Sequence, residues 1–351
     1  MGENEPELIV TNFNRNFTGV SATAAAVTRS LARRYRLVLC GEPLPGCPSP
    51  IGRIEALRLS HRPPQGRPFV LWHVRRNTEM RLALVARDLL RLPVKIVFTS
   101  SAKRLHSAFP RWLISRMDAV IATSDAAAGF VPHVRAVAPH GVDTEVFVPA
   151  EDRKALWAAS GFPGERGIAI VGRLRPEKGT DVFVRAMIET LPRFPGTVAV
   201  AFGEAHAGDR SFLNGLKGEI AAAGLSDRIL FPGETPPERL ARLLPAFSLL
   251  VASPRYEGYG MTVLEGMAAG VPFVATDAGI FRDFSDEGRA GEIVPVGDVA
   301  KLASAVADWL AASERLEAAA RAARAHAALH YSVEREAAAV AGVYEALWEE
   351  G

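Results

Sequence analysis

Cysteine is scarce in this sequence, which has 351 residues and only two cysteines, Cys40 and Cys47. Two thiols form neither a disulfide framework nor the paired-cysteine pattern of a structural zinc site. A small secreted scaffold held by disulfides is therefore excluded, and we expect both cysteines to be reduced thiols in the cytosol.

Long hydrophobic runs are also missing. No apolar run approaches the ~20 residues that a membrane-spanning helix needs. Residues 1–7 are acidic and lack the basic-then-apolar order of a signal peptide. We expect a cytoplasmic protein, monomeric or weakly dimeric, whose contact with the inner face of the cytoplasmic membrane is peripheral.

Several catalytic patterns do not occur. There is no Ser-His-Asp or Cys-His arrangement, and Cys40 has no evident base. A dehydrogenase would need Gly-x-Gly-x-x-Gly after its first strand, whereas residues 8–10 are followed by Thr-Asn-Phe-Asn. No Asp-x-Asp stands at a strand end, so we expect no metal site and no cofactor.

Acidic residues are scarce in the first part of the chain, and basic residues are the minority in the rest. Residues 1–150 hold 20 Lys and Arg against 11 Asp and Glu, a net charge of +9, and the remainder holds 21 against 28, a net charge of −7. The basic half is expected to face something anionic. No aromatic platform or recognition helix supports nucleic acid, so a phosphorylated lipid acceptor at a membrane surface is favoured over a merely solvated basic surface.

Short apolar runs alternate with helical patterns along the whole chain, which is typical of βαβ units and parallel sheets. Strands are predicted at residues 8–10, 37–40, 69–72, 96–98, 119–122, 168–171, 198–202, 229–231, 249–252, 273–275 and 292–294. Helices are predicted at residues 21–34, 79–90, 108–117, within 298–330, and at 333–349. Residues 139–149 have little periodic structure and are interpreted as a linker, in which His140 is expected to be structural.

Two cations stand directly after the predicted strand at residues 168–171. Arg173 and Lys178 occur in the sequence Gly-Arg-Leu-Arg-Pro-Glu-Lys-Gly, which runs from Gly172 to Gly179. Open α/β sheets bind ligands at strand exits, and glycines let the backbone approach closely. Fixed cations there indicate a diphosphate site, where they would stabilise a leaving phosphate without a metal. The alternative is a pair of ordinary surface charges.

Two carboxylates flank a Gly-x-Gly turn that opens a later predicted helix. The sequence from Glu257 to Glu265 is Glu-Gly-Tyr-Gly-Met-Thr-Val-Leu-Glu. Free N–H groups at a helix start attract phosphate, and carboxylates accept hydrogen bonds from sugar hydroxyls. The two motifs together indicate a nucleotide-sugar site. For Glu265 the alternative is a solvent-exposed helix glutamate.

This pair of motifs resembles the signature of the family 4 glycosyltransferases, which are retaining enzymes of the GT-B fold. Residues 172–179 are similar to the diphosphate-binding motif of that family. Glu257 and Glu265 are similar to its paired glutamates, and Gly-Val-Pro at 270–272 closes the second helix. The resemblance covers nearly the whole chain, and residues 72–77 and 109–119 are most similar to bacterial lipopolysaccharide core mannosyltransferases.

The resemblance implies an α/β fold of GT-B type, in which two Rossmann-like domains have parallel sheets facing across a cleft. Residues 1–145, completed by a C-terminal helix at 332–351, would form an acceptor-binding domain. Residues 146–331 would form the nucleotide-sugar-binding domain.

The resemblance also implies roles for single residues. Glu265 would accept hydrogen bonds from both ribose hydroxyls, and Glu257 would hold hydroxyls of the donor sugar. The residues expected to be catalytic are Glu257, Arg173 and Lys178, together with His73, which is a candidate from its own sequence context and not from the resemblance. Those expected to bind the donor are Gly19, Gly172, Arg173, Lys178, Gly203, Thr235, Gly258, Tyr259, Gly260, Met261, Thr262 and Glu265.

The histidines do not follow the family pattern. Many relatives carry a histidine just before the Thr-Ser pair that begins at Thr99, and here Phe98 holds that place. Any catalytic histidine must therefore be displaced or absent. His73, followed by two arginines, is the first candidate for contact with acceptor or sugar, against a satisfied structural histidine, and His106 is the second.

The favoured function is retaining transfer of a hexose, mannose from GDP-mannose, onto a lipopolysaccharide core or related glycolipid acceptor. The alternatives are a UDP-sugar donor for another glycan, a sugar-nucleotide epimerase of the same fold, a phosphorylase and a non-catalytic binding module. A membrane-facing segment is expected where cations and apolar side chains are interleaved. These are Lys103, Arg104, Arg111 and Arg116, with Phe109, Trp112 and Leu113.

Overall fold

A computed structural model describes residues 5–16, 19–102 and 104–351 of the chain. The chain folds as two compact units, Met1–Gly141 with Tyr331–Gly351, and Val142–His330. The boundaries expected from the sequence, after residues 145 and 331, lie four residues and one residue beyond the observed ones. Among the described residues, no helix has both the length and the apolar character to cross a membrane.

Each unit contains one sheet of six parallel strands. The first sheet consists of β1 (Leu8–Asn12), β2 (Leu37–Gly41), β3 (Val70–Val74), β4 (Val94–Ser100), β5 (Ala119–Ala122) and β6 (Val134–Val137). The second consists of β7 (Arg166–Val171), β8 (Thr197–Phe202), β9 (Ile229–Gly233), β10 (Leu249–Ala252), β11 (Phe273–Thr276) and β12 (Gly291–Val294).

Helices connect the strands. Those of the first unit are α1 (Gly19–Ala32), α2 (Arg53–Leu59), α3 (Asn77–Leu84), α4 (Ala108–Ser115) and α5 (Asp125–Ala128). Those of the second are α6 (Arg153–Ala159), α7 (Thr180–Thr190), α8 (Arg210–Ala222), α9 (Pro237–Leu243), α10 (Met261–Ala268), α11 (Phe281–Phe284), α12 (Val299–Ala311) and α13 (Ser313–His330). The last helix, α14 (Val333–Glu349), belongs to the first unit.

Strand order locates the ligand-binding edge of each sheet. The first sheet has the order β2-β1-β3-β4-β5-β6 and the second β12-β11-β10-β7-β8-β9. The direction of the strand order therefore reverses between β1 and β3 in the first sheet and between β7 and β10 in the second. Open α/β sheets bind ligands at such switch points, outside the carboxyl ends of the strands.

The first unit is completed by α14, which packs against α1 and β6. Tyr344 and Trp348 of this helix are buried among Leu8, Leu71 and Val97 of the sheet. At its rim, Arg67 Nη1 lies 2.7 Å from Glu345 Oε2. Burial of two aromatic side chains makes α14 part of the core of this unit, and removing it would expose part of the sheet face that it shares with α1.

The surface of α4 differs from the prediction in one respect. Phe109 and Trp112 are 54% and 55% exposed, and their rings stack with centroids 6.2 Å apart. Leu113, expected beside them at a membrane face, is instead buried in the core under the sheet. Arg104 and Arg111 are exposed, Arg116 pairs with Asp88 at 3.0 Å, and Lys103 lies outside the described residues.

Candidate functional site

Both predicted motifs lie at the switch point of the second sheet. Strands β7 and β10 pair directly, and the motifs follow their carboxyl ends. A pocket at this edge is lined by five of the predicted residues, Gly172, Arg173, Lys178, Glu257 and Thr262. Two segments that are distant in sequence are thus brought together because their strands are neighbours in the sheet.

Glycines allow the loops at this edge to pack closely. Gly179 has a φ of 69°, and a Cβ there would overlap the carbonyl oxygen of Ser253. The Ser253 hydroxyl donates a hydrogen bond of 2.9 Å to the Gly179 carbonyl oxygen, which fixes the first motif to the loop after β10. Gly203, with a φ of 123°, packs in the same way against the carbonyl oxygen of Gly172. Larger residues at 179 and 203 would force these loops apart.

A cation of the first motif pairs with a carboxylate of the second. Lys178 Nζ lies 2.6 Å from Glu257 Oε2, and the two side chains are 30% and 18% exposed. The other oxygen of Glu257 accepts a hydrogen bond of 2.7 Å from the backbone N–H of Gly258. Because the pair faces the pocket, its charges are accessible to a ligand.

Arg173 lies at the mouth of the pocket. Its side chain is exposed, and Nη1 lies 3.3 Å from Nε2 of His206, which follows β8. His206 was not predicted from the sequence, because an isolated histidine in a loop has no distinguishing pattern. Arg173 and Lys178 supply two positive charges to one edge of the sheet, the arrangement that an anionic ligand requires.

A second ion pair, between Arg255 and Asp181, holds the loop of the first motif in place. Arg255 bonds both carboxylate oxygens of Asp181 at 2.8 Å, and its backbone N–H donates to the Glu177 carbonyl oxygen at 2.9 Å. Burial alone would raise the pKa of Asp181, but the hydrogen bonds and charge of Arg255 lower it below its usual value. Neither residue was selected from sequence, and both act by holding the loop.

The Gly-x-Gly turn leads directly into α10. Gly260 has a φ of 106°, and a Cβ there would overlap the ring of Phe281. Tyr259 is turned inward, 7% exposed, with its ring edge against Phe284. The first N–H groups of α10, from Met261 and Thr262, have no carbonyl partner one turn earlier in the helix and carry its positive dipole end.

Glu265 lies on α10, beyond the first turn. It is partly exposed, and its carboxylate has no hydrogen-bond or ion-pair partner in the part of the chain that the structure describes. Desolvation raises the pKa of Glu265 to about 7. A carboxylate without a protein partner at the ligand-binding edge is available to accept hydrogen bonds from a ligand.

Two predicted residues lie away from this pocket. Thr235 follows β9, on the far side of β8 in the sheet, and is partly exposed. Gly19 begins α1 of the first unit, where a Cβ would meet nothing within 4 Å. The preceding Phe17 and Thr18 lie outside the described residues.

The prediction for His73 is wrong. This residue is fully buried in β3, with Nε2 at 2.7 Å from the Thr99 hydroxyl and Nδ1 hydrogen-bonded to the Tyr344 hydroxyl. Burial, and secondarily the charge of Arg75, lower the pKa of His73 well below its usual value. Both ring nitrogens are occupied, so His73 is a satisfied structural histidine and does not contact a substrate.

Other polar groups in the first unit are also structural. Glu79 is fully buried and accepts hydrogen bonds from Thr11, Phe13 and the backbone of Arg75 and Arg76. Glu79 comes three residues after Arg76, the N-cap residue of α3, and this capping-box spacing is the signal that could have identified it.

The remaining histidine candidates differ in their surroundings. His140 lies 2.9 Å from Glu336 and 3.0 Å from the Ser101 hydroxyl, which agrees with a structural role. His106 is partly buried, and its Nε2 has no partner among the described residues. No group of three or more His, Cys, Asp or Glu within residues 5–16, 19–102 and 104–351 is arranged to hold a metal ion.

Part of this chain matches a protein-family model, and nearly all of it is similar to a known protein. Residues 152–326, which lie within the second unit, match the family model described as glycosyl transferases group 1. The chain is 40% identical over 344 residues to the lipopolysaccharide core biosynthesis mannosyltransferase LpcC of Rhizobium leguminosarum bv. viciae, covering 97% of this chain and 96% of that protein.

Solved structures are similar to this chain over about half of its length or over nearly all of it. The C-terminal domain of a glycosyl transferase group 1 family protein (LpcC) from Francisella tularensis has a TM-score of 0.53 and 32% identity, over 55% of this chain and 99% of that one. Anabaena HepE in complex with UDP and glucose has a TM-score of 0.80 and 16% identity, over 97% and 99%. At that identity HepE shows the fold alone.

Proposed function

This chain belongs to the group 1 glycosyl transferases and has the GT-B fold, and we propose that it transfers mannose from GDP-mannose onto a lipopolysaccharide core or related glycolipid acceptor. The observation that carries the proposal is the contact between Lys178 and Glu257 in a pocket at the switch point of the second sheet. It places a cation for a phosphate beside a carboxylate for sugar hydroxyls. Mannose and the acceptor class are supported by the name of the relative that matches along 97% of the chain.

The two cations of the first motif would stabilise the leaving group. When the glycosidic bond to the donor breaks, negative charge accumulates on the terminal phosphate of the nucleoside diphosphate. Arg173 and Lys178 line the pocket and would lie beside this developing charge, and the N–H groups at the start of α10 would add a partial positive charge. Preorganised cations reduce the activation barrier because they need not reorient during the reaction. We therefore propose that the mechanism requires no metal ion.

The two glutamates would orient the donor. Glu257 would accept hydrogen bonds from sugar hydroxyls, since its Oε2 faces the pocket through the Lys178 contact. Glu265, whose carboxylate has no partner among the described residues, would accept hydrogen bonds from the ribose hydroxyls. Glu257 is held to Gly258 by its second oxygen, which limits its motion and favours one sugar orientation.

We propose that the reaction retains the configuration of the sugar, and the residues that line the pocket support this proposal. The described pocket residues include one carboxylate, Glu257, and it is paired with Lys178 and Gly258. We propose that the acceptor attacks from the face that the phosphate leaves, and that the departing phosphate takes the proton of the acceptor hydroxyl.

Peripheral membrane contact is the second part of the proposal. A glycolipid acceptor lies at a membrane surface, and α4 exposes two stacked aromatic side chains beside Arg104 and Arg111. Aromatic rings next to cations suit the boundary between anionic headgroups and acyl chains. We define Leu105, Phe109 and Trp112, with Arg104 and Arg111, as the α4 surface.

One assay tests the donor and the reaction type. GDP-mannose, UDP-glucose and UDP-N-acetylglucosamine are offered with and without lipid-free lipopolysaccharide core oligosaccharide, and the release of nucleoside diphosphate is measured. We expect release from GDP-mannose that depends on the acceptor and persists in EDTA. Conversion of the donor sugar without acceptor would indicate an epimerase, and release that requires inorganic phosphate would indicate a phosphorylase.

A further inference from the structure

Two neighbouring arginines, Arg75 and Arg76, leave β3 at the switch point of the first sheet, and their environments differ. Arg76 donates hydrogen bonds to Asn12, Glu79 and the Ser21 hydroxyl, at 3.0, 3.1 and 3.1 Å. The Arg75 guanidinium has no hydrogen-bond or ion-pair partner among the described residues, and its Nη1 is buried. Arg76 is thus part of the framework of the unit, whereas Arg75 is not.

The anionic groups nearest to Arg75 already have other hydrogen-bond partners. Both oxygens of Glu79 accept other donors, and Glu336 bonds His140 and the Gly141 N–H at 2.9 and 2.7 Å. His73 and Tyr344 are uncharged, since burial lowers the pKa of the imidazole and raises that of the phenol. A partly buried guanidinium without a bonded anion is costly, because it loses hydration and gains no compensating contact.

The position of Arg75 is that of a ligand-binding residue. It follows Val74 at the carboxyl end of β3, beside β1, where the strand order of the first sheet reverses. Ligands of open α/β sheets bind outside this edge. A second unsatisfied polar atom, the buried Ser100 hydroxyl, ends the adjacent strand β4. The net charge of +9 in residues 1–150 would draw an anion toward this unit.

We propose that Arg75 binds an oxyanion of the acceptor, a carboxylate or a phosphate group on its sugar chain, at the switch point of the first sheet. This assignment rests on the proposed glycosyl transfer and adds a specificity determinant to it. A planar guanidinium bonds either oxyanion through two parallel N–H groups, which fixes orientation as well as distance. An acceptor without the anion would leave Arg75 unpaired and would bind more weakly.

The test uses two variants of Arg75. Arg75→Met removes the charge, and Arg75→Lys keeps the charge but lacks the two parallel N–H groups of the guanidinium. The control variant, Arg81→Met, removes an exposed cation from α3 of the same unit. Three acceptors are compared: lipopolysaccharide core oligosaccharide, the same oligosaccharide with its carboxyl groups reduced to alcohols, and the same oligosaccharide after dephosphorylation. The acceptor KM, kcat and the donor Kd without acceptor are measured for each variant.

We expect Arg75→Met to raise the KM of the untreated acceptor about tenfold or more, because a charge-assisted hydrogen bond is lost. Arg75→Lys should be intermediate, and donor Kd should stay within about twofold of wild type for all variants. On the acceptor that lacks the recognised anion, wild type and Arg75→Met should have equal KM. The treatment that produces this equality identifies the group as carboxylate or phosphate.

Thermal unfolding gives an independent readout. Replacing an arginine that stabilises the fold lowers the stability of the protein. Replacing an unpaired cation that is kept for ligand binding does not lower it. We expect the melting temperature of Arg75→Met to equal or exceed that of wild type. The inference is overturned if Arg75→Met leaves the acceptor KM within about twofold, or raises it equally for all three acceptors, or lowers the melting temperature as a framework arginine would. If wild type transfers sugar to none of the acceptors, the proposed function itself fails, and this assignment fails with it.

Discussion

The ammonium group of Lys178 has a protein partner, Glu257, in a site that we assign to a diphosphate. A diphosphate that reaches Lys178 must share or replace that carboxylate. Because the hydrogen bond from the Gly258 N–H uses only Oε1 of Glu257, Oε2 is able to accept from sugar hydroxyls while the ammonium group of Lys178 turns toward phosphate. The pair is therefore arranged so that a donor carrying both groups satisfies both partners.

Replacing Lys178 by Ala should abolish most turnover with little effect on folding. The side chain is 30% exposed on a loop, so no core contact is lost. Loss of one preorganised charge from a leaving-group site costs about 10²–10³-fold in kcat. Steady-state kinetics and thermal unfolding should be compared with Lys154→Ala, an exposed lysine of α6. Activity of Lys178→Ala within a few-fold of wild type would contradict the diphosphate assignment.

Glu265 should make stability depend on pH. Its pKa is raised from 4.5 to about 7 in the folded chain, so the native state binds its proton more tightly than the unfolded state. The contribution of Glu265 to the free energy of unfolding is therefore largest below pH 4.5 and decreases as the pH rises through 7, by at most about 3 kcal/mol. Glu265→Gln should be more stable than wild type at pH 8, as measured by urea denaturation, with Glu189→Gln as the exposed control.

The same shift should affect nucleotide affinity. If the ribose hydroxyls donate to the ionised carboxylate of Glu265, as proposed, binding of GDP to wild type should weaken as the pH falls from 8 to 6. Glu265→Gln should show only the pH dependence of the phosphate groups themselves. Calorimetric titrations of both proteins with GDP at the two pH values measure this difference. If the GDP affinity of the two proteins has the same pH dependence, Glu265 does not contact the ribose.

Residues differ in how far sequence reveals them. Arg173, Lys178, Glu257 and Glu265 were selected because strand exits and helix starts are local patterns, and the structure brings three of them to one pocket. His73 was misassigned because its partner Tyr344 comes 271 residues later, on a helix whose docking no local pattern reveals. The unpaired state of Arg75 depends on which donors and acceptors its neighbours use.

Strands and helices with strong apolar runs were predicted from the sequence, whereas the edge strand β6 and the exact ends of α3 were not. Strand β6 was missed because it is a half-exposed edge strand of four residues with Arg135 inside it. The predicted helix at residues 79–90 begins two residues earlier and ends in a π-helical turn at Val85–Leu89. Central strands are buried on both faces, and their sequences are therefore continuous apolar runs that can be recognised. An edge strand is not buried on both faces and has no such run.

The α4 surface should bind anionic vesicles reversibly. Each cation near a charged membrane contributes only ~1 kcal/mol, so binding should be lost at high salt. We expect co-sedimentation with phosphatidylglycerol vesicles at low salt, reduced in Phe109→Ser/Trp112→Ser and in Arg104→Gln/Arg111→Gln. Leu329→Ser, which removes a 64% exposed leucine from α13, and Arg58→Gln/Arg81→Gln serve as matched controls. Equal sedimentation of all variants at every salt concentration would remove the membrane face from the proposal.

At the scale of the molecule, the first unit is made from two separate stretches of chain, whereas the second is continuous. Gly141 and Ser332, where the chain leaves and re-enters the first unit, are in contact, since a Cβ on Gly141 would overlap the Ser332 carbonyl oxygen. The whole second unit is therefore inserted between two adjacent points of the first.

The second unit should fold alone. A protein of residues 142–330 should unfold cooperatively and bind GDP, because its core and both donor motifs lie within it. Residues 1–141 alone should be unfolded or aggregated, since the contacts of Tyr344 and Trp348 are lost, and joining residue 141 to residue 331 through a short Gly-Ser linker should restore folding. Circular dichroism and analytical ultracentrifugation would check this, and a soluble, cooperative 1–141 protein would show that α14 is dispensable.

The late position of α14 also sets an order of events during translation. Every residue of the second unit leaves the ribosome before Val333, so that unit has its complete sequence while the first still lacks a helix. Until α14 is synthesised, the sheet face that carries Leu71 and Val97 is covered by α1 but lacks Tyr344 and Trp348, and part of this apolar surface stays exposed to solvent. The unit that begins synthesis first is thus the last to become native, and in that interval its exposed apolar surface is open to aggregation or to binding by chaperones.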